Sequence, residues 1–576
     1  SIAVMPFEDF SAAKDQEYFA SGISEELLNV LSRIEGLNVS SRTSSFAFKE
    51  REASTKEIAE ALGVKHILEG SIRKSGTTLR ITAQLIDTAN DEHMWSQTYD
   101  RPLTADNIFA IQDEIAAAIV AELKGRLSLA PIKQAPRTAS LEAYELYLRA
   151  RQQMNQRKPE TLRAAEAGFK QVIALDPEFA PAFSGLADTY MLMISYTDMR
   201  KEESHRLARP NVERALQLAP NSAESLTTAS MLANQNNELE KAVAFADRAI
   251  AANPNHSDAY LRKFNAGTSA SANSQEILAN IQKAQALDPL SAVILSNVSY
   301  RQLDVGDREA AKKIMLDNVR WNPDSPFGLL DLAELSYQDG DIAAAHSLYK
   351  DAQALNLENV RTQNSLAYIY VSIGMYDAAL AVSKHSDNRA LALLLMGKRE
   401  QSLKIALDNA ENVPPGYILY MHGDLEGAYP HIRKNTTDFN LSGQSASANS
   451  ANWLAIFAFI FQKNGDEDAD VLMSKIEDYL GKDVAAADKT LVPDLAAGIL
   501  LQLLKGDAET AYIWLDRYLD LGFADIPLLK EPIFDSLRGS PEFEKRVARM
   551  AKNAAKYRAE IEAQLANPKP NWIKNE

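Results

Sequence analysis

The spacing of apolar residues changes along this chain, and each change marks a different kind of structure. Ile2–Phe7 (IAVMPF) is apolar almost without a break and predicts a buried strand. Phe19, Ile23, Leu27, Leu28, Val30, Leu31 and Ile34 then fall on one face of a helix over Tyr18–Ile34, which Gly36 ends. A strand is expected at Leu37–Ser41, and a short amphipathic helix at Thr55–Leu62, stopped by Gly63. His66–Arg73 and Thr78–Asp87 read as strands joined at Ser75 and Gly76, a hairpin signal. A strand at Met94–Tyr99 and a helix over Ile108–Leu127, carrying Ile111, Ile115, Ile119 and Leu123, complete the region. Strands alternating with helices and then a meander predict an α/β sheet covered by helices over residues 1–130.

From about residue 140 the pattern is helix upon helix, with a period. Pro220, Pro254, Pro289 and Pro323, with Leu357 in the equivalent place, recur about every 34 residues, the tetratricopeptide spacing. Pro177 opens the series one longer step earlier, which implies an insertion near Ser195–Ser204. Small residues are needed where two helices cross, and Ala208, Ala242, Ala311, Ala345 and Ala379 fall there. Ala215, Ala249, Ala284 and Ala352 fill a second close-packing position, while Leu186, Tyr190, Leu329 and Leu332 fall on the seam between neighbours. One such repeat cannot bury its apolar face alone, so the array must stack into a superhelix with a concave surface. Lys263, Phe264 and Gly267 depart from the pattern and predict a distorted third hairpin. The fold class is therefore an α/β amino-terminal domain followed by an all-α tetratricopeptide superhelical solenoid. Its expected divisions are 1–130, repeats over 140–390, and divergent helical repeats with a cap over 391–576. A flexible joint is expected at Ser128–Ser140, a mobile loop at Thr436–Asn452, and a polar helix at Val547–Leu565 shielding the open end of the stack.

The segments SIAVMPFEDFSAAKDQEYFASGISEELLNVLSRIEGLNVSSRTSSFAFK, ILEGSIRKSGTTLRITAQLIDTANDEHMWSQTYDR and IFAIQDEIAAAIVAEL closely resemble a TolB-like amino-terminal domain over nearly all of residues 1–127. LLKEPIFDSLRGSPEFEKRVARM resembles the carboxy-terminal element that ends many TolB-like tetratricopeptide proteins. This resemblance implies a bacterial protein with an effector upstream of the domain. In such proteins the effector is commonly a winged-helix DNA-binding domain with one transmembrane helix, or a class III nucleotide cyclase domain. A chain that opens on a strand at Ser1 is read as part of a longer polypeptide, with any membrane anchor upstream. The region is then expected on the periplasmic face of the inner membrane if that anchor exists, and in the cytoplasm otherwise.

Charge narrows the partners. The chain has 61 Lys+Arg against 78 Asp+Glu, a net −17, which opposes a sequence-independent grip on nucleic acid or anionic lipid. It contains no cysteine, so disulfides, thiolate metal sites and cysteine nucleophiles are excluded. No uninterrupted apolar run is long enough to span a bilayer.

No phosphate loop, dinucleotide fingerprint, nucleophile elbow or zincin helix is present, so neither enzyme activity nor a cofactor is expected. His422, His431 and Asp424 form the densest histidine and aspartate group and read as surface or packing residues. Glu25 and Glu26 resemble paired carboxylates but, as adjacent helix positions, read as a solvated face. Trp95, Tyr99 and Phe109 read as core, with an aromatic pocket as the alternative. The repeat pattern places Asp188, Asn234, Asn265, Tyr300, Tyr337, Asn364 and Tyr368 on inner faces of first helices. Amides and tyrosines there suit an extended peptide or glycan. Basic residues are nearly absent from those positions apart from Arg361, so a clamp for an acidic carboxy-terminus is not expected. A solvated, unoccupied groove is the alternative. Three functions fit: the sensing region of a membrane-anchored transcription regulator, the regulatory half of a nucleotide cyclase, and a free-standing assembly scaffold.

Overall fold

Pro6 breaks the first strand in two. It has no N–H to give to a neighbour, so pairing to β3 (His66–Ser75) covers β1 (Ile2–Val4) and resumes only at β2 (Glu8–Asp9). Both run parallel to β3, and β4 (Thr78–Asp87) and β5 (Glu92–Pro102) continue antiparallel, giving the order β1-β3-β4-β5 with β2 beside β3. The computed structural model describes residues 1–34, 36–49, 51–124, 137–269, 274–355, 360–383, 387–408, 415–438, 451–481 and 492–567. Two compact units emerge, Ser1–Gly328 and Leu329–Glu576.

In the first unit the sheet is accompanied by α1 (Glu17–Ser32), α2 (Arg42–Phe46), α3 (Thr55–Leu62) and α4 (Ala105–Lys124). A reciprocal cap between Ser54 and Glu57 starts α3 and left-handed Gly63 ends it, as their types favour. The strand expected at Leu37–Ser41 is reduced to one bridge, Ile2 to Val39. Two of its other backbone groups are claimed by the repeats: the Asn255 amide donates to Leu37 O at 2.7 Å, and Ser41 N donates to Leu287 O at 2.8 Å.

Paired helices follow: Leu141–Asn155 with Pro159–Leu175, Ala180–Tyr196 with Lys201–Leu218, Ala223–Gln235 with Leu239–Ala252, Ser257–Ser269 with Ser274–Leu287, and Ala292–Asp304 with Arg308–Trp321. Pro177, Pro220, Pro254, Pro289 and Pro323 stand just beyond the second helix of each pair, where a residue that cannot continue a helix belongs. The expected insertion lengthens helices: 17 and 18 residues in the second pair, against 13 and 14 in the third. Ala208, Ala215, Ala242, Ala249, Ala284 and Ala311 are completely buried at the crossings. The pair holding Lys263 and Phe264 forms both helices. Phe264 is buried in a cluster with Leu261 and Ile281, and Lys263 bridges Asp247 at 2.9 Å and Glu276 at 3.0 Å, so these two residues that depart from the repeat pattern are accommodated.

One buried apolar cluster runs from Ile2 through the sheet, α1 and α4 to Leu232. The sheet and the first hairpins therefore share a core, and the compact unit extends well past the sequence boundary near residue 130. Residues 128–136 of the expected joint and 439–450 of the expected loop lie outside the described residues. The described ends of that loop are helical, within Leu425–Asp438 and Ala451–Lys463.

The second unit continues with Ile342–Leu355 and then pairs Val360–Ser372 with Tyr376–Val382, Asp387–Leu395 with Arg399–Asp408, Gly416–Met421 with Leu425–Asp438, Ala451–Lys463 with Asp468–Leu480, and Val492–Leu504 with Ala508–Asp520. After Asp520 the chain turns back on the unit. Ile526 N donates to Ser372 O at 3.0 Å, and the last helix, Pro541–Ala566, returns to the unit's first helices. There the Tyr557 hydroxyl donates to Gly340 O at 2.6 Å and Arg558 donates to Ile373 O at 2.8 Å. Gly340 has a positive φ of 84°, and a Cβ there would stand 2.9 Å from Leu521 O, so the closure needs glycine. The last helix thus stitches the end of the unit to its beginning, where the sequence pattern predicts a shield on an open end.

Candidate functional site

Each unit contains a cavity lined in part by repeat helices. The first, about 700 Å³, lies between α1, the helix Leu141–Asn155, the start of Ala180–Tyr196 and the turn before Ala223–Gln235. Its walls are charged in both signs. Glu25, expected to be solvated, is only 5% exposed and is gripped by Arg42 at 2.9 Å and by Arg151. Burial works against its charge, but the two guanidinium groups hold its carboxyl below the usual range. Glu26 lines the cavity 3.6 Å from Arg151, and burial pushes its pKa up. The physical reason for this correction is tertiary: Leu141–Asn155 packs on α1 and carries Arg151 onto the face that looked free. Asp188 also lines this cavity, accepting from the Thr228 hydroxyl, and burial raises it to about 7.

The second cavity, about 460 Å³, lies inside the second unit. Tyr337, Asn364 and Tyr368 line it, so three of the expected groove residues come together. The Tyr337 and Tyr368 rings meet edge-on with centroids 5.9 Å apart, and the Tyr368 hydroxyl donates to Asp525 Oδ2 at 2.9 Å. Tyr417 and Trp453, also in the lining, form a second edge-on pair at 5.0 Å, with Trp453 43% exposed. Glu531, 5% exposed, accepts from Tyr420 at 3.2 Å and Tyr417 at 3.5 Å. Burial raises Asp525 to about 6, and burial with the nearby Asp525 raises Glu531 to about 8. The groove tyrosines are therefore half-buried against the chain's own carboxyl-bearing segment.

The remaining groove residues line neither cavity. Asn234 is half-buried with a side-chain oxygen that finds no hydrogen-bond partner, and Asn265 and Tyr300 are half-buried. Asp188, Asn234, Asn265 and Tyr300 belong to the first unit, while Tyr337, Asn364 and Tyr368 belong to the second.

No family model matches the chain. Over 189 residues it is 37% identical to a protein of Rhizobium meliloti strain 1021 named "Putative adenylate cyclase 3". That stretch is 32% of this chain and 32% of that protein, so the matched region spans about a third of the relative's length. Similar solved structures include TTC0263, a tetratricopeptide protein of Thermus thermophilus, at 18% identity, covering 29% of this chain and 90% of that one, with a TM-score of 0.27. PilW, a type IV pilus biogenesis factor, aligns at 18% identity over 40% of this chain and all of its own (100%), with a TM-score of 0.30. These superpositions are local, and the repeat architecture rests on the helix pairs and buried alanines described above.

Asp525 and Glu531 escaped the sequence reading. The available signal was a lone carboxylate within an apolar run, in FADIPLL and LLKEPIF, which a surface segment would not need. The His422 group behaves as packing: its Nε2 lies 3.2 Å from the Ser402 hydroxyl, but Ser402 is fully buried, and Asp424 caps Gly427 N at 2.8 Å. Tyr99 and Phe109 lie in the shared core, with Trp95 packed against it. Among the described residues no group of three or more metal-ligating side chains is arranged to hold an ion. No described helix is long and apolar enough to cross a membrane. What the second cavity offers chemically is recognition: flat aromatic area with carboxyl, amide and hydroxyl groups.

Proposed function

We propose that this chain is the non-catalytic protein-interaction and sensing region of a bacterial signalling protein, and that a peptide segment of its partner enters the second-unit cavity. The observation that carries this reading is the convergence of Tyr337, Asn364, Tyr368, Tyr417 and Trp453 on one cavity lined in part by repeat helices. Aromatic and amide side chains supply contact area and hydrogen bonds at modest entropy cost. In this reading residues 1–127 are the TolB-like domain and the array is its tetratricopeptide tail. Of the effector contexts, a class III nucleotide cyclase draws support from the stretch of 37% identity to the Rhizobium protein. A membrane-anchored winged-helix regulator, with this region on the periplasmic face, is the alternative. The gene upstream of Ser1 separates them: metal-binding aspartates on a βαβ core, or a basic recognition helix followed by an apolar span.

The peptide reading is tested by screening the chain against an immobilised peptide library. Trp453→Ala, at the exposed rim, is expected to remove the captured peptides while leaving the melting temperature unchanged. Leu332→Ala, a buried change, serves as the folding control. Capture that persists in a folded Trp453→Ala protein overturns this cavity as the partner site.

A further inference from the structure

The second cavity has an unbalanced chemistry. Its lining carries the aromatic rings Tyr337, Tyr349, Tyr368, Tyr417 and Trp453 and the carboxyl groups of Glu334, Asp525 and Glu531. Among the described residues no lysine, arginine or histidine lines it. Two of its oxygens, Asp525 Oδ1 and Asn452 Oδ1, are buried without a hydrogen-bond partner. A buried acceptor left unpaired is costly, and each such group calls for an explanation. Glu334, by contrast, is already bonded to Tyr349 at 3.2 Å and Gln338 at 3.3 Å. The open acceptor capacity is therefore at Asp525 and Asn452, in a lining that also carries the Tyr337–Tyr368 and Tyr417–Trp453 pairs.

Ring faces attract positive charge, and paired rings beside carboxylates form the kind of site that takes an organic cation. An anion would meet carboxyl groups and no positive side chain in this lining. We infer that this cavity binds an organic cation, an alkylammonium or guanidinium group, whose N–H groups reach Asp525 and Glu531 while its methylenes lie against the aromatic pairs. The inference rests on the reading of this cavity as the partner site and names the chemistry of what enters it.

The protonation of the empty site agrees. Asp525 is raised to about 6 and Glu531 to about 8 by burial, so near neutral pH the empty cavity holds at least one neutral carboxyl. Asp525 faces Tyr368, Tyr337 and Tyr518, and Glu531 faces Tyr417, Tyr420 and Asp525; these groups are either acidic or uncharged at neutral pH. An arriving cation favours the ionised carboxylates, and the displaced proton passes to the buffer. Affinity is then expected to rise with pH through this range.

The test is calorimetric titration of the full chain with butylammonium, with acetylated and amidated Gly-Lys-Gly and Gly-Arg-Gly, and with the uncharged norleucine analogue, in two buffers of different ionisation enthalpy. The expected result is saturable binding of at least one cation, no binding of the norleucine peptide, and a heat that depends on the buffer. Asp525→Asn and Trp453→Ala should each weaken binding about tenfold or more. Binding of butylammonium as tight as that of the peptides assigns the site to a free amine; binding of the peptides alone assigns it to a side chain, and both support the inference. Equal binding of the norleucine peptide, or no saturation by any cation at millimolar concentration, overturns it. The two ideas fail separately. Cation binding with library capture indifferent to Trp453→Ala removes the partner reading alone, whereas charge-independent capture lost in Trp453→Ala removes the cation alone.

Discussion

At the scale of single residues, the decisive groups are buried carboxyls of opposite temperament. Glu25 is held ionised by Arg42 and Arg151. Removing one partner of a buried ion pair leaves the other charge uncompensated, so Glu25→Ala is expected to cost roughly 3–5 kcal/mol, read from urea denaturation. Its folded pKa lies below the usual 4.5, so its contribution is present above that pH and is lost as the pH falls through the lower folded value. Glu531 has the reverse sign. It keeps its proton up to about 8 in the folded chain, whereas an unfolded chain releases it near 4.5. Through this group the folded state binds more protons over that interval, so the contribution of Glu531 to stability falls as the pH rises from about 4.5 to about 8. Glu531→Gln should flatten this slope and make the variant more stable than the parent at about pH 9, by an amount on the order of a few kcal/mol. Chemical denaturation at about pH 5 and about pH 9 checks it, and parallel slopes for the two proteins would refute the assignment.

At the scale of elements, the hairpins depend on what is absent at their crossings. A Cβ on Gly498 would stand 2.6 Å from the Trp514 ring, and Trp514 is buried. Alanine is the better helix former, yet Gly498→Ala should lower stability by about 1–3 kcal/mol through overpacking. An unchanged or raised melting temperature would show that Trp514 has room to yield. The same crossings explain what could be read from the sequence. Local rules place Ala242 or Pro254 correctly because helix spacing and chain termination are properties of a few neighbouring residues. The solvated reading of Glu25 and the strand at Leu37–Ser41 failed for the opposite reason. Their partners, Arg151 and Asn255, come from far along the chain. Of the groove residues, Tyr337, Asn364 and Tyr368, which repeat register places on inner faces, share one cavity, but Asp525 and Glu531 complete it from a segment outside that register.

At the scale of the whole molecule, each unit has a terminal segment laid against its own hairpins. In the first, α1 and the stretch after it bond to Asn255 and, through the Ser44 hydroxyl, to Asp288. In the second, the segment after Asp520 and the last helix bond to Gly340, Ser372 and Ile373. Truncation after Ser540 should therefore raise amide exchange at residues 340–373 as well as around Ala508–Asp520, measured by mass spectrometry. Unchanged protection at 340–373 would mean that the closure contributes nothing to local stability. The closure also bears on how such a chain can change length over generations. An open stack can gain or lose a hairpin by duplication, because each repeat touches only its neighbours. Between Gly340 and Tyr557 one extra hairpin would carry the two ends of the hydrogen bond apart. The number of hairpins in this unit is thus fixed by its seam, and variation among related chains should take the form of substitutions and loop changes rather than whole repeats.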